Sequence, residues 1–155
     1  MKRCRVLHIL FAAYCVLMLW LLFDRPGYTA GIPYWDQLLS NLNLTPFRTL
    51  RLFFGLLDDH RPYLVRAALI NLVGNVVMFI PLGLFLPLTF TRLRKLWRTM
   101  LTVTLLITAV ETAQLFTLLG SCDVDDLILN TIGTLIGYAV FSLLRKGLQN
   151  RRFGT

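Results

Sequence analysis

Long apolar stretches separated by short polar joints make up most of the chain. Four such stretches, 6–23, 67–90, 99–119 and 127–144, each come close to the roughly 20 residues that carry a helix across a bilayer. In hydrocarbon no water is available to the backbone, so each stretch must satisfy its own N–H and C=O groups. This predicts an all-α membrane protein with four transmembrane helices, folded as a single domain over 1–155. The joint at 24–66 is long but patterned. Asn43-Leu44-Thr45-Pro46-Phe47 is a turn signal with Pro46 suited to the first helical position. Phe47, Leu50, Phe54 and Leu57 then recur at three- and four-residue spacing, with Arg48 and Arg51 off that face. A short amphipathic helix is expected there, either lying in the outer interface or packed on the mouth of the bundle. Tyr28, Tyr34 and Trp35 are residues of the kind that settle at headgroup level.

Composition removes the soluble classes. Of the 155 residues 56% are hydrophobic and 15% charged, with a mean hydropathy of +0.65, whereas soluble domains carry about 25% charged residues. A soluble globular enzyme, a disordered protein and an extracellular disulfide scaffold are all excluded. Cys4, Cys15 and Cys122 form no CxxC and read as small apolar fillers, with Cys122 a free thiol.

The net charge of +8 does not point to nucleic acid, because the basic residues flank apolar segments and no nucleic-acid motif accompanies them. Eleven Lys and Arg residues lie at the N-terminal flank, at 92–98 and after 144, while the 120–126 joint carries only acidic charge. The positive-inside rule then predicts cytoplasmic termini and outward-facing 24–66 and 120–126 loops. Lys2, Arg3 and Arg5 before an apolar run also suit a signal peptide. The 18-residue run is long for one, and Tyr28-Thr29-Ala30 is a poor cleavage site, so an uncleaved anchor is favoured.

With that topology, polar residues inside the spans converge on one depth. Glu111, the carboxylate inside an apolar span, lies about 12 Å below Leu119, with Gln114 on its face. Asn71 and Asn75 share a face in the outer half of the second span, and Asn130 sits one turn below Asp126 in the fourth. These residues, with Asp123, are the candidate ligand-binding set, forming a polar pocket that opens outward. Singly, Asn71, Asn75 and Gln114 also suit interhelical hydrogen bonding, whereas a buried carboxylate is costly enough to imply function. Asp125 or Asp126 is expected to cap the fourth helix. Gly133 and Gly137 form a small-residue face for another helix, which also suits a helix-mediated oligomer. Pro81, Gly83 and Pro87 are expected to kink or soften the second span. His8 reads as interfacial and His60 as solvated.

No Gly-x-Ser-x-Gly, phosphate loop, zinc-ligand spacing or EF-hand loop is present, so no catalytic residue, metal or cofactor is assigned.

Three blocks resemble the VanZ-like membrane proteins: Asn43 to Phe47; Asn71-Leu-Val-Gly-Asn75 continuing to Phe79-Ile-Pro81-Leu-Gly83; and Glu111-x-x-Gln114 followed by Asp123-Val-Asp-Asp126, Asn130, Gly133 and Gly137. Two positions depart from the pattern common in that family. Thr108 replaces a Ser before the Glu, and Gly120 or Ser121 stands where many members have an Arg. The resemblance implies a bacterial inner-membrane protein associated with low-level resistance to teicoplanin-type lipoglycopeptides. The expected partners are membrane lipid and a lipoglycopeptide or cell-envelope lipid ligand, with no nucleic acid. The competing readings are an enzyme modifying an envelope lipid through Glu111 and the Asp123, Asp125 and Asp126 cluster, and a ligand-free scaffold. The lack of a nucleophile–base pair weighs against the enzyme.

Overall fold

The computed structural model describes residues 2–24, 27–56 and 62–153. Six α-helices run in the order α1 (Lys2–Phe23), α2 (Tyr34–Ser40), α3 (Arg48–Leu56), α4 (Pro62–Thr89), α5 (Leu96–Thr117) and α6 (Val124–Phe153). Four of them, α1, α4, α5 and α6, are long and apolar enough to cross a membrane. The fold is therefore the expected all-α membrane architecture, with the short amphipathic α3 in the loop after the first span. His60 and Leu57 fall outside the described residues.

Two short elements were not legible in the pattern. One is α2. The other is a parallel ladder in which β1 (Leu42–Asn43) pairs with β2 (Cys122–Asp123). The ladder defines one end of the bundle, called here the ladder end.

The α4–α6 crossing is the tightest in the molecule, and glycine makes it so. A Cβ at Gly133 would collide with the carbonyl oxygen of Val76, one at Gly137 with that of Ile80, and one at Gly83 with that of Thr134. The Gly133/Gly137 face thus meets α4 of the same chain, and Gly83 answers it from the other side. Gly83 is thus a packing position, and α4 is a single helix through Pro81 and Pro87 to Thr89. Pro81 deprives the Val77 carbonyl of its helical N–H partner. Beside it, the Tyr14 hydroxyl donates to the Met78 carbonyl at 2.7 Å, joining α1 to α4.

The apolar core sits between α1, α4 and α5, with Met18, Leu22, Phe79, Leu82, Val103 and Ile107 buried. Many aliphatic side chains remain on the outside, including Ile9, Val16, Ile70 and Leu105, as expected where the solvent is lipid rather than water.

The amphipathic helix differs in detail from the sequence pattern. It begins at Arg48, because Phe47 takes a left-handed conformation (φ 62°) that ends the turn before it. Leu50, Phe53 and Leu56 are its half-buried apolar residues, whereas Leu52 and Phe54 are exposed. The stripe is thus rotated by about one residue, a 100° turn. The helix rests against α4 and α6 with one face while leaving another apolar face open.

Candidate functional site in the polar layer of the ladder end

The joint before α6 is built around three aspartates, and each has its own task. Asp123 ends β2, and its carboxylate accepts the N–H of Asp125 at 2.8 Å, so it caps the first turn of α6. This corrects the expectation that Asp125 or Asp126 is the cap, since both already lie within the helix. The same Asp123 carboxylate accepts the Thr49 hydroxyl at 2.7 Å.

Asp125 points the other way, out of α6 and into the start of α3. Its carboxylate, 1% exposed, accepts the backbone N–H of Phe47 and that of Thr49, the latter at 2.8 Å. Free N–H groups at a helix start favour a negative charge, so α6 supplies the cap that α3 lacks in its own sequence. Sequence reasoning missed this role. Nothing local announces it, because the partners are 76 and 78 residues apart.

Asp126 accepts a hydrogen bond from the Asn75 side-chain amide, tying α6 to α4. Glu111, on α5, accepts the backbone N–H of Asp123 through Oε2 at 3.2 Å, tying α5 to the ladder. Both carboxylates are 8% exposed. Asn130 is buried one turn below Asp126, and its Oδ1 has no hydrogen-bond partner among the described residues. Asn71 is half-buried one turn from Asn75.

Gln114 stands apart from the others. Its amide donates to the Leu22 carbonyl at 2.7 Å, satisfying one of the orphan acceptors in the last turn of α1. A second glutamine holds the loop after α1 by accepting instead: the Gln37 Oε1 accepts the Thr29 N–H at 2.9 Å. Asn43, buried in β1, accepts the Thr45 N–H at 3.3 Å and holds the turn that leads into α3.

Of the seven sequence candidates, the structure joins Asn75 with Asp126 and Glu111 with Asp123, and it places Asn130 beneath Asp126. It separates Gln114 from them. An open recess of about 390 Å³ lies at the same end, lined in part by Thr29, Gln37, Asn41, Gly120 and Ser121. None of the seven candidates lines that recess. Among the described residues, no three His, Cys, Asp or Glu side chains converge as metal ligands.

The neighbouring thiol is not activated. Burial, followed by the nearby Glu111 and Asp123 carboxylates, pushes the Cys122 thiol above its ordinary range. A reactive cysteine needs the opposite environment.

A hidden layer of carboxylates and amides therefore locks α3, α4, α5, α6 and the ladder together. A family model described as VanZ/LLP1 matches residues 11–145, which takes in every element of this layer. The chain belongs to the VanZ/LLP1 family. It is 27% identical over 143 residues to Protein VanZ of Enterococcus faecium, covering 92% of this chain and 78% of that protein. No solved structure matches. Both departures from the common VanZ-like pattern now have a setting. Thr108 is exposed on α5, where its hydroxyl donates to the Thr104 carbonyl within the helix. At Gly120 a Cβ would lie 3.2 Å from the Gln114 side chain, so a larger residue there presses on the group that holds α1.

Proposed function

We propose that this VanZ-type protein resides in the bacterial inner membrane with its ladder end outward. There it takes a lipid-linked ligand and so lowers susceptibility to teicoplanin-type lipoglycopeptides. The observation that carries the reading is the wiring of α3. An amphipathic helix with Leu52 and Phe54 exposed is fastened at its N-terminus to Asp123 and Asp125, and through Asp123 to Glu111. The open face suits an acyl chain, and the polar recess at the same end of the bundle suits a headgroup or sugar. A membrane-depth carboxylate is costly to maintain, which favours a role beyond packing for Glu111.

One set of bonds supports the scaffold reading for particular residues. Gln114 and Asp125 each close a helix terminus, and that task accounts for their burial without a ligand.

The test is teicoplanin susceptibility at matched membrane levels. Glu111→Gln keeps the shape and one acceptor while removing the charge. Loss of the phenotype with normal protein levels is the expected result. Full activity in this variant would make the carboxylate dispensable and transfer the case to the scaffold. Asp126→Asn is expected to follow Glu111→Gln.

A further inference from the structure

At the end of the bundle opposite the ladder, a cleft of about 290 Å³ opens between the end of α4, the α4–α5 joint and the last turns of α6. Its walls include Leu88, Phe141, Leu144 and Leu148, and its charged rim is Arg94 and Arg145. Phe141, Arg145 and Leu148 follow each other at i, i+4 and i+7, so one face of α6 carries both the cation and the apolar wall.

The depth is that of a membrane boundary. Arg145 lies 21 residues along α6 from Val124, which is about 31 Å at helical rise and matches the roughly 30 Å hydrocarbon thickness. The joint is held in place: the Tyr138 hydroxyl donates to the Arg94 carbonyl at 2.7 Å, and the Thr99 hydroxyl donates to the Leu93 carbonyl at 2.5 Å. Arg94 is therefore presented to α6 by a built turn.

Among the described residues, no carboxylate pairs with these two guanidinium groups. The chain has eight Asp and Glu residues, and none lies between positions 60 and 110 or after 126. Two cations at the rim of an apolar cleft, at headgroup depth and without a counter-charge, match one occupant by charge and by polarity. We infer that this cleft binds an anionic phospholipid, its phosphate between Arg94 and Arg145 and an acyl chain along Leu88, Phe141 and Leu148. Apolar walls select a lipid over free phosphate, and two guanidinium groups favour an anionic headgroup over a zwitterionic one, whose phosphate charge is offset by its own cation. The inference holds for either orientation of the bundle and is independent of the ligand at the ladder end.

The test is native mass spectrometry of the full-length protein with phosphatidylglycerol and phosphatidylcholine of matched chains. Wild type is expected to retain phosphatidylglycerol over phosphatidylcholine by roughly thirty-fold, the scale of two basic residues at a membrane surface. Arg94→Gln with Arg145→Gln is expected to abolish the preference. Lys95→Gln with Lys146→Gln, an equal charge loss outside the cleft, is expected to keep it, and glycerol phosphate is expected not to compete. Equal loss in both double variants would overturn the site in favour of diffuse attraction. So would an absent preference in wild type, or effective competition by glycerol phosphate. If the glutamine pair fails to fold, the Arg94→Lys and Arg145→Lys pair replaces it, with retention of charge but a weakened preference expected.

Discussion

At the ladder end, α3, α4, α5 and α6 meet through carboxylates, amides and backbone N–H groups, whereas in mid-bundle α4 and α6 meet through glycine and carbonyl oxygen. The first region is specified by directional bonds between residues far apart in the chain. The second is specified by the absence of side chains, which lets two backbones touch. In lipid the apolar attraction between helices is weak, so close packing and hydrogen bonds share the task of association. This protein separates them by depth, with packing in the middle and polar bonding at one end. The polar end is then free to be shaped for binding, since the bundle does not depend on it alone.

Breaking the packed region should have the largest effect. Gly133→Leu and Gly137→Leu each force a side chain against a backbone carbonyl, a clash that no rotamer of Val76 or Ile80 relieves. A destabilisation of about 1–3 kcal/mol or more is expected for each, read as loss of folded protein in detergent thermal melts. A normal melt for both would mean that α4 and α6 do not cross here.

The polar end should respond locally. Asp125→Ala strips the cap from α3 and leaves the N–H groups of Phe47 and Thr49 without their acceptor, at a cost of about 1–3 kcal/mol. Faster hydrogen exchange confined to the 47–56 segment is the expected signature, with the α4–α6 core unchanged. Global unfolding instead would erase the division between the two regions.

A smaller effect is expected where one bond joins α1 to the rest. Gln114→Leu removes the donor to the Leu22 carbonyl, and interhelical hydrogen bonds of this kind average about 0.6 kcal/mol. A modest fall in melting temperature should accompany it. The mildest test leaves the fold untouched. Because burial and the neighbouring carboxylates raise the Cys122 pKa, less thiolate is present at any given pH than in an ordinary cysteine. Maleimide labelling of Cys122 should therefore be slow at pH 8 and accelerate at higher pH, and Glu111→Gln should speed it by removing one of those charges.

The two regions also differ in how far they can be read from sequence. The four spans follow from apolar length, and the Gly133/Gly137 face follows from its four-residue spacing, because both are local regularities of a helix. The shared depth of Asn75, Glu111 and Asp126 followed from counting residues along those spans. What remained hidden depends on pairings across the fold. Asp125 reads locally as a helix cap, yet it serves a different helix, because Asp123 takes the cap of α6 first. Gln114 reads as a partner for Glu111, yet it turns to the end of α1. The buried face of α3 is turned by about one residue from the sequence pattern because its start is set by Phe47 in the left-handed region, which an apolar side chain does not announce.

The two-residue ladder has a consequence in time as well as in space. Leu42 pairs with Cys122 and Asn43 with Asp123, so the first loop cannot find its partner until the third span and the turn after it have left the ribosome. Until then α3 lacks its aspartate and Asn75 lacks Asp126. The spans are made in order from the N-terminus, but the ladder end is completed backwards, its earliest-made segment settling only when the last helix arrives.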